Sequence, residues 1–136
     1  MLCRNRERGQ AALVEIKKRS SDPDIDLILA DLSSQQAIRE FVQTFQQRYG
    51  QLNVLLNCAG VQSMKRQVTA DGLEIMFATN YLGHFLLTNL LFDLLQAGAP
   101  SRVVTVSGAG HKAGVEGGKG ATIEFNDLQV RSSSAS

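Results

Sequence analysis

A few residues of this chain have the types and spacing to do chemistry. Asp31 could accept hydrogen bonds from an amino group or a ribose hydroxyl, or cap the helix that follows. Ala59 and Gly60, in "NCAG", put two small residues where a backbone could come close to something, or could simply turn. Ser107 ends the apolar run "RVVTVS" and is followed at once by Gly108, so a hydroxyl is delivered to a loosened loop. Arg4 follows "LC" and offers a cationic fork suited to a phosphate, or an ordinary solvated charge. Asn80 interrupts "FATNYLGHFLLTNLL", where an asparagine costs helix propensity and competes for backbone hydrogen bonds. With Gly83 three residues on, it marks either a local kink or a functional distortion. His84 reads as a packed helix residue and His111 as a loop residue, with no nucleophile or metal-ligand partner beside either.

The elements that must position these residues alternate. Leu2-Cys3 looks like the end of a strand. Arg6 to Arg19 is a polar helix with Ala11, Ala12, Leu13 and Ile16 as a narrow apolar face. Ile25 to Ala30 is a short strand ending at Asp31. Ser33 with Gln36 resembles a capping box for a helix carrying Ile38, Phe41, Val42, Phe45 and Tyr49 on one side and stopped by Gly50. Leu52 to Leu56 is a near-continuous apolar run, the pattern of a strand buried on both faces. Asp71 and Glu74 could cap a long helix reaching Ala97, and Arg102 to Ser107 reads as a buried strand. Thr122 to Leu128 is a brief strand or turn, and Ser132 to Ser136 is a low-complexity, disordered tail. This alternation predicts an α/β fold, a doubly wound parallel sheet. Ligands of such sheets bind outside the carboxyl ends of the strands, where Asp31, Asn57 to Gly60 and Ser107 all fall.

The bulk numbers narrow the function. The chain has 136 residues, with 14 basic and 13 acidic residues for a net charge of +1. That length suits one domain, and the even charge balance argues against a nucleic-acid or anionic-membrane surface. Two separated cysteines, Cys3 and Cys58, suggest neither a disulfide scaffold nor a zinc site and fit a reducing, cytoplasmic compartment. Tyr81 to Leu95, the most apolar stretch, is broken by His84, Asn89 and Asp93 and falls short of the roughly 20 residues of a spanning helix. No membrane segment is expected in this chain; an anchor upstream of Met1 is a separate matter left open.

"DL" at Asp31-Leu32, "NCAG" at Asn57 to Gly60, "NYLGHFLLT" at Asn80 to Thr88 and "RVVTVS" at Arg102 to Ser107 together resemble the central section of the short-chain dehydrogenases/reductases, in order and in spacing. "CRNRERG" at Cys3 to Gly9, "TADGLE" at Thr69 to Glu74 and "DLQ" at Asp127 to Gln129 resemble the retinol-dehydrogenase-like branch. The resemblance implies a Rossmann-like fold over residues 1–130, NADP(H) or NAD(H) as cofactor, and interconversion of an alcohol with a carbonyl of retinoid, steroid or lipid type. It implies that Asp31 and Leu32 meet the adenine and that Asn57, Ala59 and Gly60 line the adenosine side. Cys58 stands where the family usually has a second asparagine. Arg4 matches the basic residue that accommodates a 2′-phosphate, which favours NADP(H). Asn80 matches the catalytic asparagine that supports a proton-relay water. The helix from Tyr81 to Ala97 matches a face through which many members dimerise.

The sequence also departs from the family. Its glycine-rich T-G-x-x-x-G-x-G turn, which grips the pyrophosphate, is not found ahead of Arg4, and Y-x-x-x-K is not found after Ser107. Neither Tyr49 nor Tyr81 has a lysine four residues on. The family's strand usually ends in two serines, the second catalytic; alignment puts Ser107 on the first and Gly108 on the second. Ser107 is catalytic only if the glycines shift the register. The expected sheet order 3-2-1-4-5 leaves the Ile25 and Leu52 strands without their shared neighbour. Two readings follow: an NADP(H)-dependent oxidoreductase given in part and inactive alone, or a non-catalytic remnant that associates with full-length relatives.

Overall fold

The helices of this chain begin where a side chain can hold their first free amides. A computed structural model describes residues 1–108 and 124–129. Strand β1 (Leu2–Cys3) leads into helix α1 (Arg6–Ser20), whose N-cap Asn5 accepts from the Arg8 amide at 2.9 Å. Strand β2 (Ile28–Leu29) is followed by α2 (Gln35–Arg48). The N-cap of α2 is Ser34, accepting from Ala37 N, rather than Ser33, and Gln36 reaches Glu40 instead of closing a capping box. Asp71 does not cap the helix after it; its carboxylate crosses the chain to take the amide of Gln35 at 2.8 Å. Tyr49, in extended backbone, closes α2.

Strand β3 (Val54–Asn57) precedes what the sequence pattern read as one long helix. It is instead a broken one: α3 (Ile75–Phe77), a π-helical turn (Ala78–Leu82), α4 (Gly83–Leu90) and α5 (Phe92–Ala97). Glu74 caps its start through both carboxylate oxygens, to Met76 N and Phe77 N. Strand β4 (Arg102–Thr105) follows.

Among the described residues the four strands pair in parallel, and one isolated antiparallel bridge joins Val68 and Glu74. β1 pairs with β2, Leu2 opposite Ile28, and β3 pairs with β4, Val54 opposite Arg102 through Asn57 opposite Thr105. The result is a Rossmann-like α/β fold whose sheet is incomplete: two pairs of strands instead of one continuous sheet. The Ile28 strand keeps its neighbour; the strands left facing each other across the gap are β1 and β3.

The core is the seam between α2 and the second half of the broken helix. Ile38, Phe41 and Val42 meet Leu87 and Leu91, with Leu32 closing one end. Full burial of side chains such as Ile38 and Leu91 stabilises by about 1.5–3 kcal/mol each. The expected burial of β3 on both faces and of β4 is not found. Val54 and Leu56 are 56% and 59% exposed, and only Leu55, on the other face of the pleat, packs against the core. Every residue of β4 is exposed, because among the described residues β3 is its main neighbour. Helix α1 buries only Gly9, leaving Ala11 and Ala12 in solvent. Residues 124–129 form turns with no strand; His111, most of the glycine-rich stretch and the Ser132–Ser136 tail lie outside the described residues. Among the described residues no helix is long and apolar enough to cross a membrane, and no cluster could hold a metal ion.

Candidate cofactor site at the strand ends

A groove of about 640 Å³ runs between the two sheets and reaches their carboxyl ends. Arg4, Asp31, Asn57, Cys58, Ala59 and Gly60 all line it, so residues scattered over 57 positions of sequence share one wall. Parallel pairing is the cause. β1 and β2 end side by side, and Arg4 Nη1 comes within 3.8 Å of Asp31 Oδ2. The arginine is 58% exposed, so this pair is worth little to stability and leaves the guanidinium able to swing to an incoming anion. The other oxygen of Asp31 holds the Ser33 amide at 2.9 Å and the Ser33 hydroxyl at 2.8 Å, which fixes the carboxylate at the strand end. Leu32 lines the same groove, but its side chain is buried in the core cluster.

The end of β3 is held from the broken helix. Asn57 is buried; its Nδ2 donates to Thr88 Oγ1 at 3.1 Å, and that hydroxyl donates to the carbonyl of His84 at 2.8 Å. His84 Nε2 lies 2.7 Å from the carbonyl of Ala59. Asn80 spends both ends of its amide on Val61, accepting from the Val61 amide at 2.8 Å and donating to its carbonyl at 2.9 Å. The side chain of Asn80 is therefore a clamp on the loop after β3. Its place in the chain is a π-helical turn, closed by the Gly83 amide on the carbonyl of Ala78 five residues back, a feature common at functional sites.

Two glycines explain the local geometry. A Cβ on Gly83 would clash with the carbonyl oxygen of Leu32, so glycine is required there for the helix to approach the chain leaving β2. The weak point in the helical pattern at Gly83 is thus a packing contact. A Cβ on Gly60 would meet only Asn80 Oδ1 at 3.6 Å, an ordinary contact, so the protein itself does not demand glycine and room is left on the groove side.

Three buried polar atoms lining this groove have no partner among the described residues: Asn57 Oδ1, Thr79 Oγ1 and His84 Nδ1. Buried polar atoms are normally satisfied by protein, water or ligand. These atoms, the room at Gly60 and the Arg4–Asp31 pair fit the adenosine side of a dinucleotide; nothing among the described residues offers the glycine-rich cradle for its pyrophosphate. Ser107, by contrast, stands exposed past the end of β4, its hydroxyl bonded to none of the described residues. Tyr49 donates to Asp26, and this hydrogen bond, with desolvation, pushes its phenol above the ordinary value of 10.0. That is the wrong direction for an acid/base group near neutral pH.

Sequence reasoning missed His84, Thr88, Thr79 and Val61 as parts of this wall. A signal was available: Asn80, His84 and Thr88 recur every fourth residue in an otherwise apolar helix, which places them on one face.

Comparison with known proteins agrees with this picture. The family model for short chain dehydrogenase matches residues 1–120. Human retinol dehydrogenase 13 is 38% identical over 128 residues, covering 94% of this chain and 37% of the relative. Human polyprenol dehydrogenase is 40% identical over 129 residues, covering 92% and 37%. An uncharacterised protein from Mycobacterium paratuberculosis superposes with a TM-score of 0.70 at 32% identity, over 97% of this chain and 42% of that one. RhlG of Pseudomonas aeruginosa, solved as an NADP active-site complex, gives 0.58 at 25% identity over 76% and 42%. The chain thus spans a little over a third of the length of the curated relatives it matches. Its parallel strand pairs, the residues gathered at their carboxyl ends and a family match over most of its length show that this chain belongs to the short-chain dehydrogenase family, in the retinol-dehydrogenase-like branch.

Proposed function

We propose that residues 1–130 form the adenosine-binding part of an NADP(H)-dependent oxidoreductase that interconverts an alcohol and an aldehyde or ketone of retinoid, steroid or lipid type. The observation that carries this reading is the pairing of Arg4 with Asp31 at adjoining strand ends, beside the Asn57–Gly60 loop. Asp31 would accept from the adenine or ribose, Arg4 would meet the 2′-phosphate, and Asn57, Ala59 and Gly60 would line the adenosine. The cofactor, when bound, supplies or accepts a hydride; this chain's residues bind and orient its adenosine end. Asn80, the position matching the family's catalytic asparagine, holds the loop by its side chain from within the π-helical turn. Neither the glycine-rich pyrophosphate grip nor the tyrosine–lysine acid/base pair is found in this sequence, so the chain by itself is expected to bind NADPH weakly and not to turn over.

The test is Arg4→Ala in a protein that joins this sequence to both. NADPH affinity should fall about tenfold or more, the scale of a lost charge-assisted contact, while NADH affinity changes little. Equal losses for the two cofactors remove Arg4 from the phosphate site.

A second reading, association with another copy or with full-length relatives, is favoured by one feature. Phe77, Tyr81 and Phe85 stack along the broken helix with ring centroids 5.6 and 6.5 Å apart, and Tyr81, Phe85 and Phe92 are more than half exposed. Such a stripe suits a partner helix. Light scattering on the wild type and on Tyr81→Ser/Phe85→Ser decides it; a monomer in both ends this reading.

A further inference from the structure

We propose that His84 is a positioning residue that fixes the Ala59–Gly60 peptide so that the Gly60 N–H is presented to an acceptor oxygen of the ligand. The inference deepens the adenosine reading and rests on it for the identity of that ligand. Asn80, His84 and Thr88 grip Val61, Ala59 and Asn57 respectively, a three-rung polar ladder between the broken helix and the chain leaving β3. The spacing matches by simple geometry. In a regular helix four residues rise about 6 Å, and two residues of chain can span at most about 6.6 Å, so helix positions four apart can meet positions two apart on the neighbouring segment.

The middle rung has a chemical consequence. The carbonyl of Ala59 can only accept, so at 2.7 Å the Nε2 of His84 must carry the hydrogen. In the neutral imidazole this fixes the Nε2–H tautomer and leaves Nδ1, the ring atom found buried and unpartnered, without a hydrogen. The Ala59–Gly60 peptide is trans, so its C=O and N–H point in opposite directions. Turning the carbonyl toward His84 turns the Gly60 N–H away from the helix, and among the described residues that N–H has no partner. Glycine at this position makes the peptide easy to flip. A ligand that needs a donor there requires something to hold the peptide, and the hydrogen bond from His84 to the Ala59 carbonyl does so. The Asn80 rung below and the Thr88 rung above prevent the loop from sliding along the helix.

The experiment uses the 136-residue chain, labelled with ¹⁵N. Long-range ¹H–¹⁵N correlation should show His84 as the Nε2–H tautomer; a dominant Nδ1–H form overturns the proposal before any variant is made. In His84→Ala the Gly60 amide resonance should move and the Val61 amide should exchange about tenfold faster than in wild type, the scale of one lost buried hydrogen bond. The Ile38 amide in α2, bonded to Ser34 O, should keep its rate. His84→Gln can donate to the same carbonyl and should restore Val61 protection. Unchanged Gly60 and Val61 signals in His84→Ala overturn the proposal. So does a rise shared equally by Ile38, which would make His84 an ordinary packing residue. Titration with adenosine 2′,5′-bisphosphate separates the two ideas: a wild-type Gly60 amide that ignores it counts against the adenosine reading, whereas the exchange rates judge His84 alone.

Discussion

The ends of β3 and β4 lie side by side in one parallel pair, Asn57 opposite Thr105, yet they are built differently. The chain leaving β3 is tied at Asn57, Ala59 and Val61 to a helix that buries Leu87 and Leu91 behind it. The chain leaving β4 donates from Val106 to Asn57 O and then enters Ser107 and Gly108, both exposed, with no helix among the described residues tied to them. The first end is held in place from behind; the second has no such tie among the described residues. How firmly a strand end is held therefore depends on what packs behind it, not on its own sequence alone.

The largest effect expected is on the open side of the comparison. The facing edges of β1 and β3 are unpaired, and Val54, Leu56, Val103, Val104 and Val106 are exposed. Unprotected edges and apolar strands invite association, so the isolated chain should melt over a broad range and aggregate on heating. A sharp two-state transition from a soluble monomer would break the comparison outright.

On the closed side, Gly83→Ala drives a methyl into the backbone carbonyl of Leu32 and should destabilise by about 3 kcal/mol, the upper end of overpacking costs. Gly60→Ala meets only an ordinary contact and should cost under about 1 kcal/mol. Hydrogen exchange of the Ile38 and Leu91 amides reads both; similar losses would show that the helix does not press on β2 as described.

In a longer protein that supplies the glycine-rich turn and the tyrosine–lysine pair, Gly108→Ser should raise kcat by about tenfold or more. A missing donor to a developing oxyanion typically costs about 10²–10³, part of which a water can recover. A Cβ on Gly108 meets no described atom within 4 Å. Ser107→Ala should change kcat little. Turnover of a reactive aldehyde at saturating NADPH is the measurement. Abolition of turnover by Ser107→Ala, with no gain from Gly108→Ser, would mean that the register is shifted by one and that Ser107 is the catalytic serine.

The smallest effect is far from both strand ends. The phenol of Tyr49 is raised in the folded chain by its hydrogen bond to Asp26. That contact therefore stabilises fully below pH 10.0, its ordinary value, and is lost as pH climbs through the raised one. Ultraviolet titration should show one phenol ionising above pH 10.0 in wild type and missing from Tyr49→Phe; because the group is exposed, stability should shift only slightly.

The sequence by itself determined the order of elements, the family and the residues at the strand ends, because these depend on local pattern. The α2 stripe of Ile38, Phe41 and Val42 and the motifs at Asp31, Asn57 and Asn80 were all legible there. Tertiary structure decided the rest. It decided that Asp71 caps α2 across the chain, because a free helix amide takes whichever carboxylate the fold brings near. It decided that β3 and β4 are exposed, because burial of an apolar strand depends on neighbours that no window of its own residues contains. It also decided that His84, an unremarkable residue of an apolar helix, holds the carbonyl of Ala59. A hydrogen bond between residues 25 apart exists only once the helix has been laid beside the chain that leaves β3.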